Sequence, residues 1–317
     1  MERFSQSVRE EIIRSGIGKC RGCVRAELAA IFHMAGGIHL EGAQKFSFSV
    51  TTEAAGAARR IIHLLKASYQ LESEIRVENL EKLGKLHRYR LIIPFQPGLA
   101  GMLSDCGILT RDNLINNSIK SDLVQGNCCR ASFLKGAFLS GGSITDPQKK
   151  TYHLELITHN EEFADSLVYL MNLLRLNAKI SRRKGYFLVY LKEIEALARF
   201  LSLIEAHTAV IHLEEVRVIK SMRGEVNRRL NCETANLGKT LSAAWEQVDL
   251  IKGIAESPGL SILPPNLRQT AELRLEYPEA TFKELGERHL PPISKSAVNH
   301  RLRLIREIAR NQKNNSN

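Results

Sequence analysis

The 317-residue chain lacks the short motifs of several common enzyme classes. It has no glycine-rich phosphate loop, no H-E-x-x-H helix and no G-x-S-x-G elbow, which argues against nucleotide hydrolysis, zinc proteolysis and serine hydrolysis. No apolar run approaches the roughly 18–20 residues that span a bilayer. The start, Met1–Arg14, is charged throughout, so no secretory signal is expected. What the chain has in excess is positive charge: 45 Lys and Arg against 34 Asp and Glu, a net +11 with histidine neutral. These features predict a soluble cytoplasmic protein of two or three domains whose partners are polyanions. No membrane, cofactor or small-molecule substrate is expected.

One segment occurs twice. Cys23-Val24-Arg25-Ala26 leads into Ala29–Gly37 (AAIFHMAGG), and Cys128-Cys129-Arg130-Ala131 leads into Leu134–Gly142 (LKGAFLSGG). Subtracting positions (128 − 23, 130 − 25, 141 − 36) gives 105 each time, which marks a duplicated fold unit. Each copy predicts an apolar helix of small residues, ended by glycines in the left-handed conformation. Small residues let two helices approach closely, so the pair is expected to form a central seam.

Leu134–Gly142 resembles the LAGLIDADG helix of homing endonucleases, and Ala29–Gly37 resembles a weaker copy. In that family the acid at the eighth letter holds the catalytic divalent metal. Here Gly36 and Gly141 occupy that letter, with Met34 and Leu139 at the often acidic sixth. Glycine supplies no side-chain ligand to a hydrated Mg²⁺, and Glu41 and Asp146 lie beyond the glycines. The resemblance therefore implies the scaffold of a nuclease without its catalytic residues.

The flanking segments support the repeat. Lys45–Thr52 alternates as a strand, Glu53–Tyr69 is helical, 71–79 and 86–94 are extended, and 100–107 is a short helix. In the second copy Tyr152–Thr158 alternates, 161–176 is helical, 178–182 and 186–191 flank a hairpin, and 193–206 is helical. Each half thus predicts helix–strand–helix–strand–strand–helix, one strand short of the helix–hairpin–helix–hairpin–helix order of the LAGLIDADG fold.

The C-terminal third predicts a helix-turn-helix. Asn266–Tyr277 is a helix with Leu267, Ala271, Leu273 and Leu275 apolar, ended by Pro278. Thr281–Arg288 is a short helix, His289–Ile293 is the turn, and Ser294 caps a helix to about Arg310. Val298, Leu302, Ile305 and Ala309 fall at helical spacing on the inner face. Lys295, Ser296, Asn299, His300, Arg303 and Arg306 occupy the rest, and from Ser294 to Lys313 six Lys/Arg stand against Glu307 alone. Asparagine suits adenine edges and arginine guanine edges, while Ser and Lys at a helix start suit phosphates. These six residues are the candidate DNA contacts.

Between the two parts, Val216–Lys239 carries Arg223, Asn227, Arg228, Arg229 and Asn231, donors able to track a phosphate backbone or to hold a polar connector against its neighbours. With FLKGAFLSGGS (133–143), VNRRLNCETANLGKT (226–240) and TFKELGE…ISKSAVNHRLR (281–303), nearly the whole chain resembles the WhiA family. That resemblance implies an α+β fold: a pseudo-two-fold, duplicated LAGLIDADG-like domain, then an all-α helix-turn-helix domain similar to sigma factor region 4. It also implies a non-catalytic, nucleoid-associated DNA-binding regulator of transcription, cell division, chromosome segregation and, in sporulating relatives, sporulation. The expected division is 1–107 and 128–206 for the two halves around a 108–127 linker. A helical basic connector follows at 207–256, then a linker at 257–266 and a helix-turn-helix with basic tail at 267–317.

Two alternatives remain from the sequence: an active endonuclease, opposed by Gly36 and Gly141, and a scaffold that binds a protein partner through the duplicated domain. That domain, taken as residues 1–205, is expected to bind DNA weakly, because Lys45–Thr52 is mostly Ser and Thr, and Glu72, Glu74, Glu78 and Glu81 lie nearby. His33, His63 and His207 are read as packing or surface residues. Cys20, Cys23, Cys128 and Cys129 are expected at one end of the seam, where zinc would accept four thiolates near 2.3 Å. Adjacent cysteines rarely chelate together in structural sites, so reduced thiols without metal are the expectation here.

Overall fold

The structure is a computed structural model that describes residues 2–18, 20–42, 45–80, 86–257 and 259–315. Glu81 and Pro258 lie outside the described residues. Two compact units divide between Ile219 and Lys220. Among the described residues no helix is long and apolar enough to cross a membrane.

The first unit begins with helix α1 (Glu2–Arg14), whose Phe4, Val8 and Ile12 are buried at helical spacing. Two repeats follow. The first runs α2 (Arg21–Ala35), β1 (Gly36–Leu40), β2 (Phe46–Thr52), α3 (Ala55–Ser68), β3 (Glu74–Leu80), β4 (Leu86–Ile93) and α4 (Leu99–Asp105). The second runs α5 (Asn127–Gly141), β5 (Gly142–Ile144), β6 (Leu154–Thr158), α6 (Glu161–Leu173), β7 (Lys179–Arg183), β8 (Tyr186–Leu191) and α7 (Ile194–Leu203). Each repeat folds an antiparallel four-stranded sheet of the same topology, β1-β2-β4-β3 and β5-β6-β8-β7. The strands absent from sequence periodicity are β1 and β5. They start at or directly after the paired glycines and are too short and glycine-rich to show alternation. Helix α1 was masked by its high charge.

Helices α2 and α5 are the seam. Buried residues run almost continuously through both, from Ala26 to Phe32 and from Ser132 to Leu139, as expected of helices enclosed on all sides. They run side by side in the same direction. Cys20 lies near Cys129 at their starts, Gly136 meets Glu27 and Ala30 midway, and Gly141 meets Met34 at their ends.

The glycines do not act as expected. Gly36 (φ −92°) and Gly142 (φ −89°) are extended, not left-handed. Their role is close approach: a Cβ on Gly36 would collide with Phe48 and the Phe32 carbonyl, and one on Gly142 with Phe138. The glycines let the chain turn straight from helix into strand beneath aromatic rings.

The segment 108–127 is not merely a polar tether. Ile108, Leu109 and Leu123 are buried in the unit's core, and Leu109 and Ile115 form an isolated bridge. Residues 207–256, expected as a helical connector, form one continuous helix α8 (His207–Glu256). Its first turns bury Ala209 and Leu213 in the core of the first unit, and Val216 is buried one turn further on.

The second unit, from Lys220, centres on Ile251, Ile254, Leu263, Leu267, Ala271, Leu285, Val298, Leu302, Ile305 and Ala309. Its helices after α8 are α9 (Pro265–Glu276), α10 (Phe282–Arg288) and α11 (Lys295–Asn315). Helix α11 extends five residues past the expected end near Arg310, since nothing in Asn311–Asn315 breaks a helix.

Candidate nucleic-acid interface

Each helix of the C-terminal trio is fixed by local chemistry. Pro265 begins α9, where a missing N–H costs nothing. Helix α10 opens with a capping box: the Glu284 carboxylate accepts from the Thr281 N–H (2.7 Å), and Thr281 Oγ1 accepts from the Glu284 N–H (3.3 Å). The hydrogen bond from the Thr281 backbone, with one from its side chain, holds the Glu284 carboxyl below its ordinary pKa. The Ile293 N–H donates to the Gly286 carbonyl (3.0 Å), and a Cβ on Gly286 would strike the Ile293 carbonyl, so the turn closes directly onto α10. Ser294 caps α11 by accepting from the Ala297 N–H (3.2 Å).

The inner face of α9 differs from the expected one. Leu267, Thr270, Ala271 and Arg274 are buried, while Leu273 and Leu275 are half-buried. Arg274 is the surprise: its guanidinium donates to the Ala280 (2.6 Å) and Pro278 (3.2 Å) carbonyls and lies over the Phe282 ring. It ties the α9–α10 turn together from inside. An arginine in a leucine-rich helix reads as surface, so no sequence signal marked it. Buried His289 bonds Thr270 Oγ1 through Nε2 (3.2 Å), and burial, with the Arg301 charge, lowers its pKa.

Val298, Leu302, Ile305 and Ala309 of α11 are all buried. Lys295, Ser296, Asn299, His300 and Arg303 are exposed. Arg303 makes an i,i+4 pair with Glu307 (3.5 Å), an exposed contact that a stronger anion can displace. Arg306 is placed differently: half-buried, it pairs with Glu246 of α8 (3.3 Å). Arg301 donates to the Asn266 carbonyl (3.2 Å) and joins α11 to α9. Arg223, Asn227, Arg228, Arg229 and Asn231 are exposed on α8, and Arg229 pairs with Glu233 (3.2 Å).

In the first unit, Gly36 and Gly141 stand at the C-terminal ends of the seam helices, so neither brings a carboxylate there. Glu41 is exposed, and Asp146 accepts from the Gln148 N–H (2.9 Å) in its own turn. Nearby, the His33 ring stacks on Phe163 at 4.8 Å, with Nε2 buried and without a partner. Burial lowers its pKa to about 4 against an opposing hydrogen bond with Gly107. Strand register assigns the outward sheet face. Phe48, Val50, Leu91 and Ile93 point into the core, which leaves Glu74, Arg76, Glu78, Arg88 and Arg90 on the other face, together with Ser47 and Ser49, which are themselves buried. The three arginines were overlooked in the sequence. Two are already paired, Arg90 with Glu78 (3.0 Å) and Arg76 with Glu74 (3.5 Å).

The four cysteines converge as the duplication predicts. Cys20, Cys23, Cys128 and Cys129 have all their Sγ atoms within 4.8 Å of one another. The side-chain hydrogen bond with Cys23 draws the Cys20 thiol down to about 7, and burial pushes Cys129 up to about 12.

Seam helices, duplicated sheets and a capped tri-helical unit together define a LAGLIDADG-like domain followed by a C-terminal helix-turn-helix domain. Family models agree: the WhiA N-terminal LAGLIDADG-like domain matches 21–109, the WhiA LAGLIDADG-like domain 130–223, and the WhiA C-terminal HTH domain 226–309. The "Probable cell division protein WhiA" of Alkaliphilus metalliredigens is 44% identical over 99% of both chains. That of Heliobacterium modesticaldum is 44% identical over 96% of this chain and 95% of its own. The crystal structure of full-length DUF199/WhiA from Thermatoga maritima, at 25% identity, covers 96% of each chain with a TM-score of 0.59. The chain belongs to the WhiA family.

Proposed function

We propose that the chain is a non-catalytic, sequence-selective DNA-binding protein. It reads duplex DNA with α11 and acts in the cytoplasm, on the nucleoid, as a transcriptional regulator in cell division. Chromosome segregation and, in sporulating relatives, sporulation belong to the same proposal. The observation that carries it is the exposed face of α11, where Lys295, Ser296, Asn299, His300 and Arg303 face solvent while Val298, Leu302, Ile305 and Ala309 anchor the helix. The cell-division role rests on the names of the relatives. Absence of cutting rests on Gly36 and Gly141, which place no carboxylate at the ends of the seam. Arg223, Asn227, Arg228, Arg229 and Asn231 are proposed as secondary phosphate contacts, and Arg306 as a contact once freed from Glu246.

Selection from random duplexes with the full chain tests this reading. A recurrent motif is expected, bound with an affinity that falls as salt rises. Recovery of no motif would overturn selectivity, and Mg²⁺- or Mn²⁺-dependent nicking of plasmid would overturn the non-catalytic assignment.

A second reading, a scaffold for a protein partner with auxiliary DNA binding, is favoured by one observation. Met222, Val226, Leu230 and Leu237 of α8 are 63%, 56%, 54% and 61% exposed, more apolar surface than a solvated helix needs. Pull-downs with and without nuclease separate the two, since partners that survive nuclease support the scaffold.

A further inference from the structure

The sulfur cluster at the start of the seam has a geometry that packing alone does not require. Each repeat contributes two thiols, one pair from the loop and first turn of α2 and the other from the first turn of α5. Cys20 Sγ lies 3.3 Å from Cys23 Sγ and 3.9 Å from Cys129 Sγ, and no two of the four sulfurs are more than 4.8 Å apart. Four sulfurs around a tetrahedral zinc at about 2.3 Å would be about 3.8 Å apart. The observed spacings bracket that value.

We propose that Cys20, Cys23, Cys128 and Cys129 bind a single zinc ion as four thiolates, clipping the first repeat to the second where α2 and α5 begin. This departs from the expectation of unmetallated thiols drawn from residue type. Adjacent cysteines are poor co-ligands on an ordinary chain, but Cys128 and Cys129 open a helix. Their sulfurs meet those of Cys20 and Cys23 without any rearrangement of the backbone.

Three further features fit. Cys20 is the N-cap of α2, and its sulfur accepts the Cys23 N–H (3.4 Å), which stabilises a thiolate. Both fifteen-residue helices direct their positive N-terminal ends toward the cluster, favouring the net negative charge of a four-thiolate site. Gly22 and Gly126 border the sulfurs: a Cβ on Gly22 would stand 3.0 Å from Cys129 Sγ, and one on Gly126 3.7 Å from Cys128 Sγ. The spacing also selects the cofactor. An iron–sulfur cluster interposes several iron and sulfide atoms between its thiolates, and sulfurs within 4.8 Å leave space for one ion.

The test uses the full chain, free of any histidine tag and purified under reductant. Elemental analysis should return one zinc per chain. Cobalt exchanged into the site should give the thiolate-to-metal charge-transfer band of a tetrahedral sulfur site. Alkylation should spare these four thiols until a chelator is added, while Cys232, exposed on α8, reacts throughout. Cys20→Ser with Cys129→Ser should lose both metal and band, and Cys232→Ser should keep both. Circular dichroism confirms that the double variant folds, and alkylation of the wild-type chain reads the site if it does not. Zinc-free protein with no cobalt–thiolate band would overturn the proposal. So would stoichiometric zinc in a folded double variant, or an iron–sulfur chromophore.

Discussion

Gly136 of α5 packs directly on the main chain of Glu27 in α2, so closely that a methyl group at 136 would overlap the Glu27 carbonyl and press on Ala30. That contact sets the separation of the seam. Gly136→Ala should therefore destabilise the first unit by about 1–3 kcal/mol despite better helix propensity. Chemical denaturation measures it, and an unchanged or raised midpoint would show that the helices can move apart freely.

The Glu27 side chain gives a second prediction. It is fully buried and takes Arg60 in a two-point pair (Nε–Oε1 2.5 Å, Nη2–Oε2 3.1 Å), while Arg60 also donates to the carbonyls of Ser15 (2.7 Å) and Gly16 (3.2 Å). Glu27→Gln leaves a buried guanidinium without its counter-charge and should cost about 3–5 kcal/mol. Adding Arg60→Met should recover part of that loss. Denaturation of the single and double variants decides it, and additive effects would mean the pair is not coupled.

His33 predicts a pH dependence. Its pKa falls from about 6.5 unfolded to about 4 folded, so the unfolded chain binds the extra proton first. Its contribution is intact above pH 6.5, declines as pH falls from 6.5 to 4, and changes no further below. The steepest slope one proton allows is about 1.4 kcal/mol per pH unit. His33→Phe, which keeps the stack on Phe163, should flatten the melting temperature across that window. An identical pH profile for variant and wild type would contradict it.

On α11, Asn299 and Arg303 lie one turn apart, exposed along one flank of the buried face made by Val298, Leu302 and Ile305. Asn299→Ala or Arg303→Ala should weaken specific binding by about 1–3 kcal/mol, with little effect on non-specific binding or melting temperature. Lys295→Ala should weaken both kinds of binding and lower the salt slope by about one. Val298→Asp should unfold the trio and abolish binding. Unaltered discrimination in both Asn299→Ala and Arg303→Ala would move recognition to α8.

The first unit alone should bind DNA with a Kd no tighter than about 1 μM at physiological salt, the non-specific range. On its outward sheet face Ser47 and Ser49 are buried, and two of the three arginines are paired with Glu74 and Glu78. The fragment must end at 219, because one ending at 205 loses the burial of Ala209, Leu213 and Val216. Sub-micromolar affinity of fragment 1–219 for DNA would show that its sheets bind DNA after all.

The elements legible in the sequence were those with a clean period. Phe46–Thr52, Ala55–Ser68 and Lys295 onward emerged from alternation or helical spacing, and the offset of 105 exposed the repeat and the meeting of the four cysteines. What stayed hidden depends on the third dimension. Gly36–Leu40 and Gly142–Ile144 are strands only because a neighbour pairs with them. Arg274 is interior because two carbonyls of a turn wait for its guanidinium, and Arg306 is half-buried because Glu246 lies across from it. Arg76, Arg88 and Arg90 look scattered along the chain until strand pairing gathers them on one face.

The glycines at the ends of the seam differ in how much room a new side chain would find there. At Gly36 any side chain meets Phe48 and the Phe32 carbonyl, and at Gly141 it meets the Met34 methyl and the Ile157 carbonyl. An acid placed at 36 would have to displace the Phe48 ring against a main-chain oxygen, so it would lower stability before any metal could bind. At 141 the end of the flexible Met34 side chain can swing aside, with the Ile157 carbonyl 3.0 Å away, which makes that position the more permissive of the two. The two ends of the seam are therefore unequal: rigid groups close one to a longer side chain, and a movable one guards the other.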